Sequence, residues 1–347
     1  MTMARSRLVQ VEVTRYYHCI SRCVRKAMLC GKGYEHRKQW IEDRLKLLTG
    51  SFSIGVGGFS VMNNHLHVLV RLEPERSDDW EAEEVVRRWI GVYPPRELDL
   101  DDPLAVQDYV HAQTQKPGRV AIYRARLANL GWFMKALKEP LARMANKEDD
   151  CRGTFWESRY KSIAVLDEEA ILATCAYIDL NPMAAGISTL PENSKHTSIR
   201  QRVAHIRSKK QGVKALKAAH QATEASRLAL GKLEDDHWLC PIQDRRTQGS
   251  KRSGMVERLS LASYLMLVDY TSRLFRPGKA RVKAQERKIF ERLGTSADIW
   301  GERLQRLFGN RRISGTYFTT DRSRLRELAS KHGCQRLANL AGCPARG

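Results

Sequence analysis

Two histidines bracket one leucine, His65-Leu66-His67, inside the apolar run from Val61 to Leu72. Alternating, β-branched neighbours read as a strand, whose successive side chains point to opposite faces. Leu66, Val68, Val70 and Leu72 then share a face that can be buried, while His65, His67 and Arg71 share the other. Two imidazoles at adjacent same-face positions can grip one divalent metal or one phosphate. The plain alternative is a pair of half-exposed strand histidines. A second pair stands far along the chain, Tyr177 and Asn181, spaced i and i+4 and so on one face of a helix. A phenol with its pKa near ~10 is a poor nucleophile at neutral pH. A metal that polarises the target phosphate, or a neighbouring cation, makes its attack feasible. Two imidazoles and an amide oxygen form a mixed set that suits Mg²⁺ or Mn²⁺, with water and phosphate completing the shell. Taken singly, Tyr177 also reads as a packed tyrosine, and Asn181 before Pro182 as an asparagine that closes a helix.

The elements that must position these residues are legible around them. Residues 10–23 alternate as a first strand, and Trp40, Ile41, Leu45 and Leu48 mark a helix over 36–50. Residues 52–61 read as a strand loosened by Gly55, Gly57 and Gly58, and Asn63-Asn64 suits a tight turn into the histidine strand. Asp167-Glu168-Glu169 is a helix start, with Ile171, Leu172, Cys175 and Ile178 as its apolar stripe. That helix is expected to stop near Asn181-Pro182, because a residue before proline avoids the helical region. Between the two sites, residues 73–102 carry 11 acids against four arginines and read as an insertion or exposed connection, with a short helix over 80–92. A helical pattern spans 120–146, with a break expected at Pro140. An extended segment is expected over 153–165, and helices over 259–275, 287–293, 297–308 and 321–331.

The charge balance narrows the partner. Sixty Lys and Arg stand against 39 Asp and Glu, a net of +21, a field that concentrates polyanions. Residues 206–347 alone hold 30 basic and 13 acidic residues. Nucleic acid is the favoured partner, although charge does not separate RNA from DNA. None of the eight cysteines shows C-x-x-C spacing, which argues against a structural zinc site and for reduced thiols. No apolar run approaches the ~20 residues that span a bilayer, and the basic start leads into no signal core. No membrane partner is expected, and the cytoplasm, beside the nucleoid, is the expected location.

The histidine strand, the segment Gly153-Thr154-Phe155-Trp156-Glu157-Ser158-Arg159-Tyr160 and the run Tyr177-Ile178-Asp179-Leu180-Asn181-Pro182 through Gly186 occur in that order. Together they resemble the single-tyrosine HUH transposases, closest to the REP-associated tyrosine transposase branch, over roughly residues 8–200. The resemblance implies an α+β, ferredoxin-like domain with a central antiparallel sheet over 1–205, carrying 73–102 as an acidic insertion. A basic, mainly helical region over 206–347, for DNA binding or assembly, would follow. It implies His65, His67 and Asn181 as ligands of Mg²⁺ or Mn²⁺, and Tyr177 as the nucleophile. The implied partners are single-stranded DNA with palindromic hairpins, with a homodimer among the assemblies to consider. A hairpin-binding regulator without catalysis and an RNA-binding protein are the alternatives.

Further candidate DNA contacts are Arg15, Arg22, Trp156, Arg159, Tyr160 and Lys161, and in the basic region Lys279, Arg281, Arg311 and Arg312. Tyr160 is the rival nucleophile, but no asparagine follows it by four residues. Trp156 reads equally as core, and His18 as a structural histidine or a further metal neighbour.

Overall fold

The computed structural model describes residues 9–209, 212, 230–248, 250, 252–274, 284–309 and 317–331. Lys279, Arg281, Arg311 and Arg312 lie outside the described residues. Apolar alternation produces β1 (Tyr16–Arg22), β2 (Ile54–Val61) and β3 (His65–Leu72), with α1 (His36–Ser51) crossing between the first two. Three helices follow, α2 (Pro74–Asp78), α3 (Ala82–Val92) and α4 (Pro103–Thr114), then α5 (Arg119–Leu127) and α6 (Leu130–Glu148). After β4 (Lys161–Val165) come α7 (Glu168–Ala184) and α8 (Ser198–Ser208). The C-terminal elements are α9 (Leu261–Arg273), α10 (Ala284–Arg292), α11 (Ala297–Gly309), β5 (Tyr317–Phe318) and α12 (Arg322–Lys331).

This is a mixed α and β protein built on one mainly antiparallel sheet of order β2-β3-β1-β4-β5, in which only β4 and β5 run parallel. Both faces of the sheet are covered. Tyr17, Cys19, Leu66, Val68 and Val70 pack with α1, α3 and α6, while Ile20, Leu69, Ile163 and Val165 pack with α7, α8 and the C-terminal helices. Burying a side chain of this size contributes ~1.5–3 kcal/mol, so each face is strongly held. Residues on either side of position 205 share the second core. The outer side of β2 is met by irregular chain. Cys240 N–H donates to Val56 O at 2.8 Å, Val61 N–H to His196 O at 3.0 Å, and Ser60 bridges Thr197. Gly55 permits the approach, since a Cβ there would collide with Cys240 Sγ.

Several expected boundaries move, each for a local reason. The first strand shortens to 16–22, because residues 10–14 turn and Thr14 Oγ1 donates to Val165 O at 2.6 Å. The pattern over 120–146 divides into α5 and α6, where Asn129 Oδ1 accepts from Trp132 N–H and caps the second helix. Pro140 does not break α6. The carbonyl its missing N–H leaves free, Ala136 O, accepts from Arg44 Nε at 3.0 Å instead. Likewise α7 runs through Pro182 to Ala184, and the following chain closes on it by Ala185 N–H to Asn181 O and Ile187 N–H to Pro182 O. Only 161–165 of the extended segment forms a strand. The acidic segment is more than an exposed connection, because Trp80, Val85, Val86, Trp89 and Ile90 enter the first core. Leu66, Val68 and Val70 bury as expected, but so does the opposite face of β3, where His67 is 2% and Arg71 6% exposed.

Asp179, wholly buried on α7, accepts from Ser198 Oγ, from Ile199 N–H at 2.8 Å and from the Tyr264 hydroxyl, tying α7 to α8 and α9. Asp179→Ala orphans three buried donors and is expected to destabilise the protein by about 3 kcal/mol or more, against about 1 kcal/mol for Tyr264→Phe. Urea unfolding checks the pair, and an Asp179→Ala midpoint matching that of Tyr264→Phe would sink the clamp.

Candidate functional site

The site is assembled at one end of the sheet, on the face covered by α7. In register, Arg22 of β1 lies opposite His65 of β3, and Ile20 lies opposite both His67 and Lys161 of β4. His18, two residues before Ile20, shares that face, and its Nε2 stands 2.9 Å from His67 Nδ1. Asn64, in the turn before β3, presents Oδ1 to His65 Nδ1 at 2.7 Å. Carboxamide oxygen being an acceptor only, Nδ1 of His65 carries the proton and Nε2 keeps its lone pair. In the same way the pairing with His18 engages His67 Nδ1 and leaves its Nε2 for another partner.

Helix α7 starts where its residues dictate. Asp167 Oδ1 accepts from Ala170 N–H at 2.8 Å, and the same carboxylate binds Thr319 and Thr320 beside β5. Three turns later Tyr177 and Asn181 come down on the histidines. The Tyr177 ring lies 5.3 Å from that of His67, edge-on at 89°, and 5.9 Å from His18, while His65 and His67 are 4.9 Å apart. Asp179 follows Tyr177 by two residues, about 200° around the helix, so its clamp holds the back of α7 while the front meets the sheet. From the other side Phe308 of α11 lies 4.9 Å from the Tyr177 ring, and Arg303 of the same helix pairs with Glu169. Tyr177 is 8% exposed and Asn181 9%.

The electrostatics follow from this burial. Desolvation lowers the imidazoles, His65 to about 4 and His18 to about 3, and His67 falls well below its usual range, with Arg22 adding to the effect on His65 and His67. All three are neutral at pH 7, the form that ligates a metal. Burial raises Tyr177, opposed by the Asn181 amide and the Arg22 cation. The Asn181 amide acts on both His65 and Tyr177, yet its Nδ2 completes no well-formed hydrogen bond. That orphaned Nδ2 is a donor and would serve an acceptor such as a phosphate oxygen, while the carboxamide oxygen beside two neutral imidazoles is the mixed N and O set that could hold a hard or borderline divalent cation. Among the described residues no group of three or more His, Cys, Asp and Glu side chains is disposed to hold a metal. His18 reaches His67 through their hydrogen bond, and the side chains here that could hold a cation are His65, His67 and the Asn181 amide oxygen.

The other candidates scatter. Arg15 lies at the far end of β1, paired with Glu75. Arg22 and Lys161 share the site's face of the sheet. Tyr160 packs in the core on the opposite face, away from Tyr177, so the two tyrosines do not share a site. Trp156 is half-buried with Nε1 donating to Lys138 O at 3.0 Å, and Arg159 is exposed. Sequence reasoning missed Phe308, whose contact with Tyr177 is purely tertiary. It underweighted His18, although strand parity with Ile20 and Arg22 was a usable signal.

No family model matches the chain, and neither does any curated protein. A solved structure described as the REP-associated tyrosine transposase bound to a REP hairpin aligns with a TM-score of 0.32 at 10% identity, over 55% of this chain and 78% of that one. A score that low leaves the reading of the site to its own geometry. Among the described residues no helix is long and apolar enough to cross a membrane.

The three desolvated histidines, His18 and His67 buried and His65 half-buried, make stability depend on pH. Unfolded imidazoles take up protons near ~6.5, whereas His65 and His18 in the folded chain resist until about 4 and about 3. The unfolded state therefore binds more protons below pH 6.5, and stability is expected to fall steadily from there toward pH 4. Urea midpoints at pH 7 and pH 5 measure the drop, which should shrink in His18→Gln. An equal drop in that variant would refute the assignment.

Proposed function

We propose that the chain is a metal-dependent, tyrosine-nucleophile endonuclease and strand transferase, a transposase that acts on single-stranded DNA beside palindromic hairpins. One observation carries the reading: Tyr177 and Asn181 from α7 meet His65 and His67 from β3, on a chain of net charge +21. The order β2-β3-β1-β4, with α1 and α6 on one face, supports the finer assignment of the sheet as ferredoxin-like.

In the proposed reaction Tyr177 Oη bonds to the scissile phosphorus as the bond from phosphorus to the 3′ oxygen breaks. The phenol gives up its proton, and the departing oxygen takes one up as a 3′-hydroxyl, leaving a 5′-phosphotyrosine. A 3′-hydroxyl that attacks this linkage restores a phosphodiester and regenerates the phenol, so no nucleotide triphosphate is consumed. Held by His65, His67 and Asn181, Mg²⁺ or Mn²⁺ would polarise the phosphate and ease loss of the phenolic proton. The chain's own residues prepare the rest. Asn64 and His18 orient the two imidazoles, and Arg22 places a cation where phosphate charge would gather. Since burial raises Tyr177, it is a weaker nucleophile at rest than a free tyrosine, and activation must come with the bound phosphate and cation.

A second reading, a hairpin-binding regulator without catalysis, draws on the burial of Tyr177 beneath Phe308. Labelled single-stranded DNA with a palindromic hairpin separates the two on a denaturing gel with Mg²⁺ or Mn²⁺. A covalent protein–DNA band is expected, absent from Tyr177→Phe and with EDTA, and present in Tyr160→Phe. Tight hairpin binding without a band at any metal concentration establishes the regulator instead.

A further inference from the structure

Helix α6 lies on the sheet face away from Tyr177, and its outer side carries Trp132, Lys135 and Lys138 at three-residue spacing. The chain after α6 returns to the site's end of the sheet. Val24 N–H donates to Phe155 O at 2.9 Å, Glu157 N–H to Arg22 O at 2.8 Å, and Cys23 bridges Trp156. This loop therefore extends β1 beside Arg22, the residue opposite His65. At two strand spacings, Trp156 stands roughly 10 Å from the histidine strand.

Between α6 and this loop lies a groove of about 300 Å³, lined by Met134, Lys135, Lys138, Trp156, Arg159 and Tyr160. Its floor is apolar, with Met134 and Tyr160 buried in the core. Lys135 and Arg159 are exposed at its rim. Trp156 is clamped through Nε1 to Lys138 O, and Lys138 Nζ donates to Ser158 O at 2.9 Å while lying 5.3 Å from the Trp156 ring centre. Glu139 also lines the groove, engaged by Lys135 at 3.8 Å and Arg143 at 3.1 Å. An aromatic wall, an apolar floor and a cationic rim are what a nucleotide needs, the π face for its base and the cations for its phosphate. The volume is close to that of one nucleotide, and the three cations outnumber the single Glu139 carboxylate, which favours an anionic ligand.

We infer that this groove holds one unpaired nucleotide of single-stranded DNA, a few residues along the strand from the phosphate presented to Tyr177. The inference rests on the reading of the Tyr177 site as one that takes single-stranded DNA. The strand would pass from Arg22 over the 155–157 loop and seat a base against Trp156, with Lys135 and Arg159 on the flanking phosphates.

Fluorescence anisotropy of the full chain with a hairpin oligonucleotide carrying an unpaired thymidine flank tests this, using an abasic site moved one position at a time. A penalty of about tenfold is expected at one or two neighbouring flank positions only. In the Lys135→Glu, Arg159→Glu double variant, with both changes at exposed positions and folding checked by thermal melting, flank affinity should fall about tenfold and the local penalty disappear. A flat abasic profile, a penalty that persists in the double variant, or no binding of the flank overturns the groove. The covalent gel run on the same oligonucleotides keeps the two readings apart. An adduct with a flat profile removes the groove alone, whereas a localised profile without an adduct removes strand transfer and leaves the groove standing.

Discussion

One buried carboxylate sets the rotation of the helix on which the site depends. Asp179 is satisfied by Ser198, Ile199 and Tyr264, donors from two other helices, and cannot turn toward the sheet without orphaning them. Burial raises its pKa while those donors and Arg202 oppose the rise, so the anchor works only as a complete set. With the back of α7 fixed in this way, Tyr177 and Asn181 are left on the front, facing His65 and His67. The C-terminal region takes part through Tyr264 and Phe308, so the site is shaped by residues far beyond those that carry its chemistry.

Much of this geometry was legible in the residues. Parity along 65–72 placed both histidines on one face, and the Asp167 cap with i, i+4 spacing placed Tyr177 and Asn181 together. The burial of the histidine face was not legible, because a period of two reveals which side chains share a face but not what covers it. Proline positions misled for a related reason. The carbonyl that Pro140 leaves free finds Arg44 from α1, a tertiary partner that no local rule anticipates. Likewise the acidic run 73–102 hid an apolar stripe, since its charges occupy one side of α3 and Val85, Val86, Trp89 and Ile90 the other.

The ring of neutral imidazoles also has a cost that the fold must absorb. His18 and His67 sit in an interior that penalises their charged forms, and each is the other's hydrogen-bond partner. An apolar pair would pack there at less risk. The contact at 2.9 Å fixes the orientation of both rings, engaging Nδ1 of His67 and turning its Nε2 away from His18.

The chain that lies along β2 has a consequence for assembly. Val56, Ser60 and Val61 spend their outward backbone groups on Cys240, Thr197 and His196, and at the other margin β5 offers only two residues. Among the described residues, the β2 margin is thus capped by irregular chain rather than left as a long open edge on which another strand can template. A strand from another chain would have to displace this irregular chain before it could pair along β2.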